Sequence, residues 1–97
     1  MGTDFVTWWV ASLPRSLVWA RLTLRESGSA EVLGSDGRVL HYHDDDAARN
    51  ALMDAEFRAF DGLDEDDALV LGFTLGEVEP PVAEDDDKLV QMLIQKI

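Results

Sequence analysis

The string His41-Tyr42-His43-Asp44-Asp45 holds the side chains best suited to metal chemistry. Two imidazoles at alternate positions share one face of a strand, and a carboxylate two residues further on could join them in gathering zinc. A catalytic zinc needs further protein ligands, and the chain has no third histidine and no cysteine. His41 and His43 are therefore expected to be ordinary strand residues ahead of an Asp-rich helix cap, with no metal or other cofactor bound. Calcium would take carboxylates such as those of Asp61-Gly62-Leu63-Asp64-Glu65-Asp66-Asp67, but Leu63 stands where an EF-hand loop needs a ligand and no Gly falls at its sixth position. Asp54 and Glu56 are too close in sequence to face each other on a helix as general acid and base. Phosphate-cradling and nucleophile-elbow glycine motifs are missing, and Ser12, Ser16, Ser27, Ser29 and Ser35 have no adjacent histidine. No catalytic residue is assigned, and the chain is expected not to be an enzyme.

Three tryptophans, Trp8, Trp9 and Trp19, are many for 97 residues. Such rings belong in cores and at the centres of interfaces. If the segment is extended, Trp8 and Trp9 point to opposite faces and one of them is expected at the surface, as an aromatic contact for a partner. The other reading places both in a groove between a sheet and a terminal helix.

Charge narrows the partners. Twenty acidic against eight basic residues give a net charge of -12, which repels nucleic acid and anionic membranes alike. The acids are concentrated: residues 44–67 hold ten of them with two bases, and residues 77–87 hold six with none, while residues 1–43 are neutral. No export signal is read, because the chain opens Met-Gly-Thr-Asp and its apolar run Phe5 to Leu13 stops at Pro14. No run approaches the roughly 18–20 apolar residues of a membrane span, so a soluble, cytoplasmic protein is expected.

The length favours one domain, residues 1–97. Leu17 to Arg25 alternates, with Val18, Ala20, Leu22 and Leu24 on one face, and reads as a strand with a single buried face. A turn over Glu26 to Ser29, a second strand from Ala30 to Ser35, an Asp36-Gly37 hairpin and a third strand from Arg38 to His43 follow. The expected fold is α+β: a three-stranded antiparallel meander over residues 17–43, packed by a main helix over 46–60. Ala48, Leu52, Ala55 and Ala59 would supply that helix's inner stripe and Asp61-Gly62 its end. Residues 64–72 read as a short helix capped by Asp64, with a fourth strand as the alternative. Residues 77–87, with Pro80-Pro81, read as an exposed acidic connector before a terminal amphipathic helix over 88–97, with Leu89, Val90, Leu93, Ile94 and Ile97 on one side.

Asp44-Asp45-Asp46-Ala47-Ala48-Arg49, leading to Asp54-Ala55-Glu56-Phe57-Arg58-Ala59-Phe60-Asp61-Gly62-Leu63-Asp64, resembles segments of small acidic bacterial immunity proteins. The resemblance covers about a quarter of the chain. It implies cytoplasmic inhibition of a basic toxin or nuclease domain by blocking its substrate cleft. The acidic flank would be the partner surface, with Asp61, Asp64, Glu65, Asp66 and Asp67 as candidate contacts beside Trp8 and Trp9. The competing expectation is a structural domain, made homodimeric through Leu89 to Ile97, and a small metal-dependent enzyme stands third.

Overall fold

Strands β1 (Phe5–Leu13) and β2 (Ser16–Leu24) pair antiparallel along their whole length, from Phe5 opposite Leu24 to Leu13 opposite Ser16. The structure, a computed structural model, describes residues 4–74, 76 and 78–96. Pro14 and Arg15 make the turn: proline fixes φ at the first central position, and Arg15 takes φ 63° at the second, the demand of a type II turn. Strands β3 (Ala30–Leu33) and β4 (Val39–Tyr42) extend the meander, joined by a hairpin in which Gly37 has φ 82°. The meander is thus present, but with four consecutive strands, because Phe5–Leu13 belongs to it.

The helix expected over 46–60 is shorter. Helix α1 runs Asp45–Asp54, and Glu56, at φ 67°, turns the chain out of it. Phe57 N–H donates to Leu52 O at 2.9 Å and Glu56 N–H to Met53 O at 3.0 Å, the Schellman pattern that satisfies the last carbonyls. Residues 58–59 then form β5 (Arg58–Ala59) against Val10 and Trp9, and Phe60–Gly62 make a 3-10 turn. Helix α2 (Glu65–Leu71) ends as α1 does, with Phe73 N–H donating to Ala68 O at 3.0 Å and Gly72 N–H to Leu69 O at 3.1 Å. Gly72 has φ 94°, where a glycine carries no steric penalty and Glu56 does. Glu56→Gly is accordingly expected to raise stability by about 0.5–1 kcal/mol, the left-handed cost to an L-residue less the extra chain entropy of glycine. Urea unfolding reads the change, and a fall in midpoint would show that the glutamate side chain makes up for its backbone.

Helix α3 (Asp86–Met92) is followed by strand β6 (Ile94–Lys96), which replaces the second half of the expected 88–97 helix. The cause lies in β2. Its outer edge pairs with β3 only from Leu24 to Arg21, since the 36–37 hairpin takes the chain away after Leu33. The rest of that edge, Val18 to Ser16, would keep unpaired backbone groups, and Ile94 to Lys96 supply the partners. Trp19 N–H donates to Leu93 O at 2.7 Å at the junction. The sheet order is β4-β3-β2-β1-β5, with β6 in line with β3 along β2.

Both faces of this sheet are covered, so the expectation of a single buried face on β2 is corrected. Ala20 and Leu22 pack with Trp9, Val32, Ala48 and Leu52 under α1, whereas Leu17 and Trp19 pack with Val10, Ala68, Phe73, Leu89 and Leu93 under α2 and α3. Full burial of one such leucine contributes about 1.5–3 kcal/mol. The 77–87 segment is not wholly exposed either: Val78 and Ala83 pack on the second cluster and Pro81 is buried, which straps the chain across that face. Ile97 and Glu77, which those expectations included, lie outside the described residues. Leu89 and Leu93 face this core, leaving Met92 and Ile94 as the exposed large apolar side chains of the proposed dimer seam. Among the described residues no helix is long and apolar enough to cross a membrane.

Candidate functional site

Each acidic run begins a helix. Asp44 Oδ1 accepts from Ala47 N–H at 2.7 Å, Asp64 Oδ1 from Asp67 N–H at 2.8 Å and Asp85 Oδ1 from Lys88 N–H at 2.8 Å. One carboxylate per run is therefore an N-cap, and those just after it complement the helix dipole. Local structure accounts for that much of the charge, while several carboxylates remain uncompensated. Asp61, Glu65 and Asp66 have no cation within 4.0 Å among the described residues, and the same holds for Asp54 and Glu56. Asp67 lies 3.9 Å from Arg58 Nη1.

On α2 only Ala68 is buried, so the outer face carries Glu65 and Asp66 in the first turn and Leu69 and Val70 in the second. Leu69 is 67% exposed and Val70 86% exposed. The acids are visible in the sequence as a run, whereas these two residues are not. They lie in an apolar run, Ala68 to Leu71, and only the helix phase set by Ala68 shows them turned outward.

The tryptophans separate. Trp8 is half-buried, edge-on to Trp19 at 6.2 Å between centroids, on the face beneath α2 and α3. Trp9 is 3% exposed on the opposite face, under α1, with the Arg49 guanidinium 5.7 Å from its ring centroid. Adjacent strand positions do point to opposite faces, but both faces are covered, so neither ring is fully exposed. The structure brings Asp61 and Asp64 to Asp67 together and places Trp9 on the other side of the sheet from them.

A groove of about 730 Å³ lies beside this acidic flank, at the edge of β1. Its floor is Ala11, Ser12 and Leu13; the end of α1 supplies Met53 and Phe57, and Leu63 and Leu71 close the α2 side. Ser12 Oγ donates to Leu71 O, tying that floor to the helix. Glu56, Arg58 and Asp67 are its charged lining. The groove exists because β5 pairs with β1 only at Trp9 and Val10, so the edge from Ala11 to Leu13 carries no strand among the described residues.

The histidines are engaged elsewhere. His41 stands opposite Glu31 in the β3–β4 register, with Nδ1 3.5 Å from Glu31 Oε1, and His43 Nε2 lies 3.0 Å from Asp44 Oδ2. Among the described residues no group of three or more His, Asp or Glu side chains is placed to hold a metal ion. Arg25 donates to both Glu31 and Asp4 at 2.6 Å. The Arg25 hydrogen bond holds the Glu31 carboxyl below the ordinary carboxylate range, and the Glu31 and Asp4 carboxylates raise the guanidinium in turn. This exposed triad links the start of β1 to β2 and β3 and plays no part in the acidic flank. Comparison with protein-family models, with curated proteins and with solved structures found no match to this chain.

Proposed function

We propose that this chain is a non-enzymatic, cytoplasmic protein-interaction domain, an immunity-type inhibitor whose acidic flank at α2 engages a basic toxin or nuclease domain. The observation that carries the reading is the outer face of α2, where Glu65 and Asp66, without a cation partner among the described residues, stand beside exposed Leu69 and Val70. Carboxylates there can accept from Arg and Lys that otherwise hold phosphates, and exposed apolar side chains beside them supply area to bury on contact. Scattered acids that only kept a protein soluble would not require two large apolar side chains in their midst.

The test is the joint change Asp64→Asn, Glu65→Gln, Asp66→Asn and Asp67→Asn. Asparagine caps a helix about as well as aspartate, so the fold is retained and circular dichroism should not move. Association with the basic partner, sought first among products of neighbouring genes, is expected to slow by about tenfold or more at low salt and to lose most of its ionic-strength dependence. An unaltered association rate, or an acidic partner, would reduce the flank to a solvated surface.

A further inference from the structure

The way the chain treats the edge of β2 bears on the groove at β1. Two short segments in line, β3 and β6, share one edge of β2, and each supplies main-chain partners where the other stops. On the far edge of β1 only the first half of that arrangement exists. Strand β5 contributes two residues, and beyond it Ala11 to Leu13 border the groove together with Phe57, the residue just before β5. A groove along a strand edge, with Met53, Phe57, Leu63 and Leu71 in its lining, suits an extended peptide. We propose that this slot receives an extended segment of the basic partner, apolar at its centre and flanked by Lys or Arg, added to β1 as a strand in line with β5.

Charge decides which occupant the slot favours. Glu56 and Asp67 lie in its lining, and Arg58, its one cation there, already faces Asp67 at 3.9 Å. Asp54 and Asp61, which have no cation partner among the described residues, adjoin lining residues in the chain. A second copy of this chain, at net charge -12, would bring like charge to the same rim, whereas a basic-flanked segment brings the opposite sign. The inference rests on the proposed role as a binder of a basic protein, and it assigns the main-chain part of that contact to a place separate from the outer face of α2.

The experiment titrates 15N-labelled full-length protein with the synthetic peptide Lys-Lys-Val-Leu-Val-Lys-Lys. Amide shifts are expected at Ala11 to Leu13 and at Met53 to Ala59. Methylating the central peptide nitrogen, which removes one main-chain donor and blocks edge pairing, should weaken binding by about tenfold, and replacing Lys by Glu should abolish it. Gly62 lines the slot, and a Cβ placed there meets no atom within 4 Å, so the fold should tolerate Gly62→Phe, and the added ring at the lining is expected to weaken the peptide by about tenfold or more. The Glu65→Gln, Asp66→Asn pair on the outer face should change peptide affinity by less than about threefold. Shifts confined to α2, equal binding of methylated and unmethylated peptides, or a peptide-free dimer joined through Ala11 to Leu13 would each overturn the proposal. Peptide binding lost in Gly62→Phe, with partner association indifferent to the α2 changes, would keep the slot and discard the acidic-flank reading.

Discussion

Trp19→Ala is expected to destabilise the protein by about 3–5 kcal/mol, the range for deleting a large aromatic from a packed interior. Trp19 is 0% exposed and is the largest fully buried side chain. Its ring meets Trp8 at 6.2 Å and Phe60 at 5.0 Å, both edge-on. It also packs in the cluster that holds Leu93, Leu89 and Ala68, so one side chain joins β2 to the 3-10 turn and to both helices on that face. A domain of this length is stable by about 5–15 kcal/mol, so the loss removes about a third to a half of the total at the centre of that range. With a urea dependence of about 1–3 kcal/mol per molar, the unfolding midpoint should fall by roughly 2 M. Trp19→Phe separates volume from polarity. The Trp19 Nε1–H has no protein acceptor among the described residues, so the phenylalanine variant loses ring area but no hydrogen bond and should fall well short of the alanine loss. A midpoint shift below about 0.5 M for Trp19→Ala would mean that the helices on this face are only loosely attached.

Leu93→Ala is expected to cost about 2–5 kcal/mol. Leu93 is 0% exposed, sits between α3 and β6, and holds the carbonyl that accepts from Trp19 N–H. Its side chain anchors β6 on β2. When that anchor shrinks, the pairing of Ser16, Leu17 and Val18 with Lys96, Gln95 and Ile94 loosens as well. Hydrogen exchange should therefore accelerate at Ser16 to Val18 more than at Arg21 to Leu24, whose partner β3 is untouched. A loss under about 1 kcal/mol with uniform exchange would show that β6 merely lies along the sheet.

What the sequence disclosed follows the locality of each feature. The Asp36-Gly37 hairpin, the strand at Leu17 to Leu24 and the Asp64 cap of α2 depend on near neighbours, and all three are present. Strand β1 shows no clear alternation because its centre, Trp9 to Ala11, is buried on both faces, and Phe5 to Leu13 gives a nearly continuous apolar run. Glu56 concealed the end of α1, since a glutamate does not mark a left-handed turn as Gly72 does. The spacing of Leu89, Leu93 and Ile94 fits a helix equally well beyond Met92, and only the unpaired edge of β2, distant in sequence, favours a strand there. The candidate site divides in the same way. Its acids were legible as a run, while Leu69, Val70 and the groove depend on helix phase and on β5 stopping after two residues.

The shared edge of β2 also has a bearing on synthesis. At about 5–20 residues per second the ribosome needs roughly 4–16 s to pass from Val18 to Lys96. During that interval the β1–β2 hairpin can close, yet the Ser16 to Val18 stretch of one β2 edge must wait as an unoccupied template. Any chain that pauses after α2 presents Ser16 to Val18 to its neighbours, so a nascent chain of this protein stays exposed to mispairing along that edge until β6 emerges.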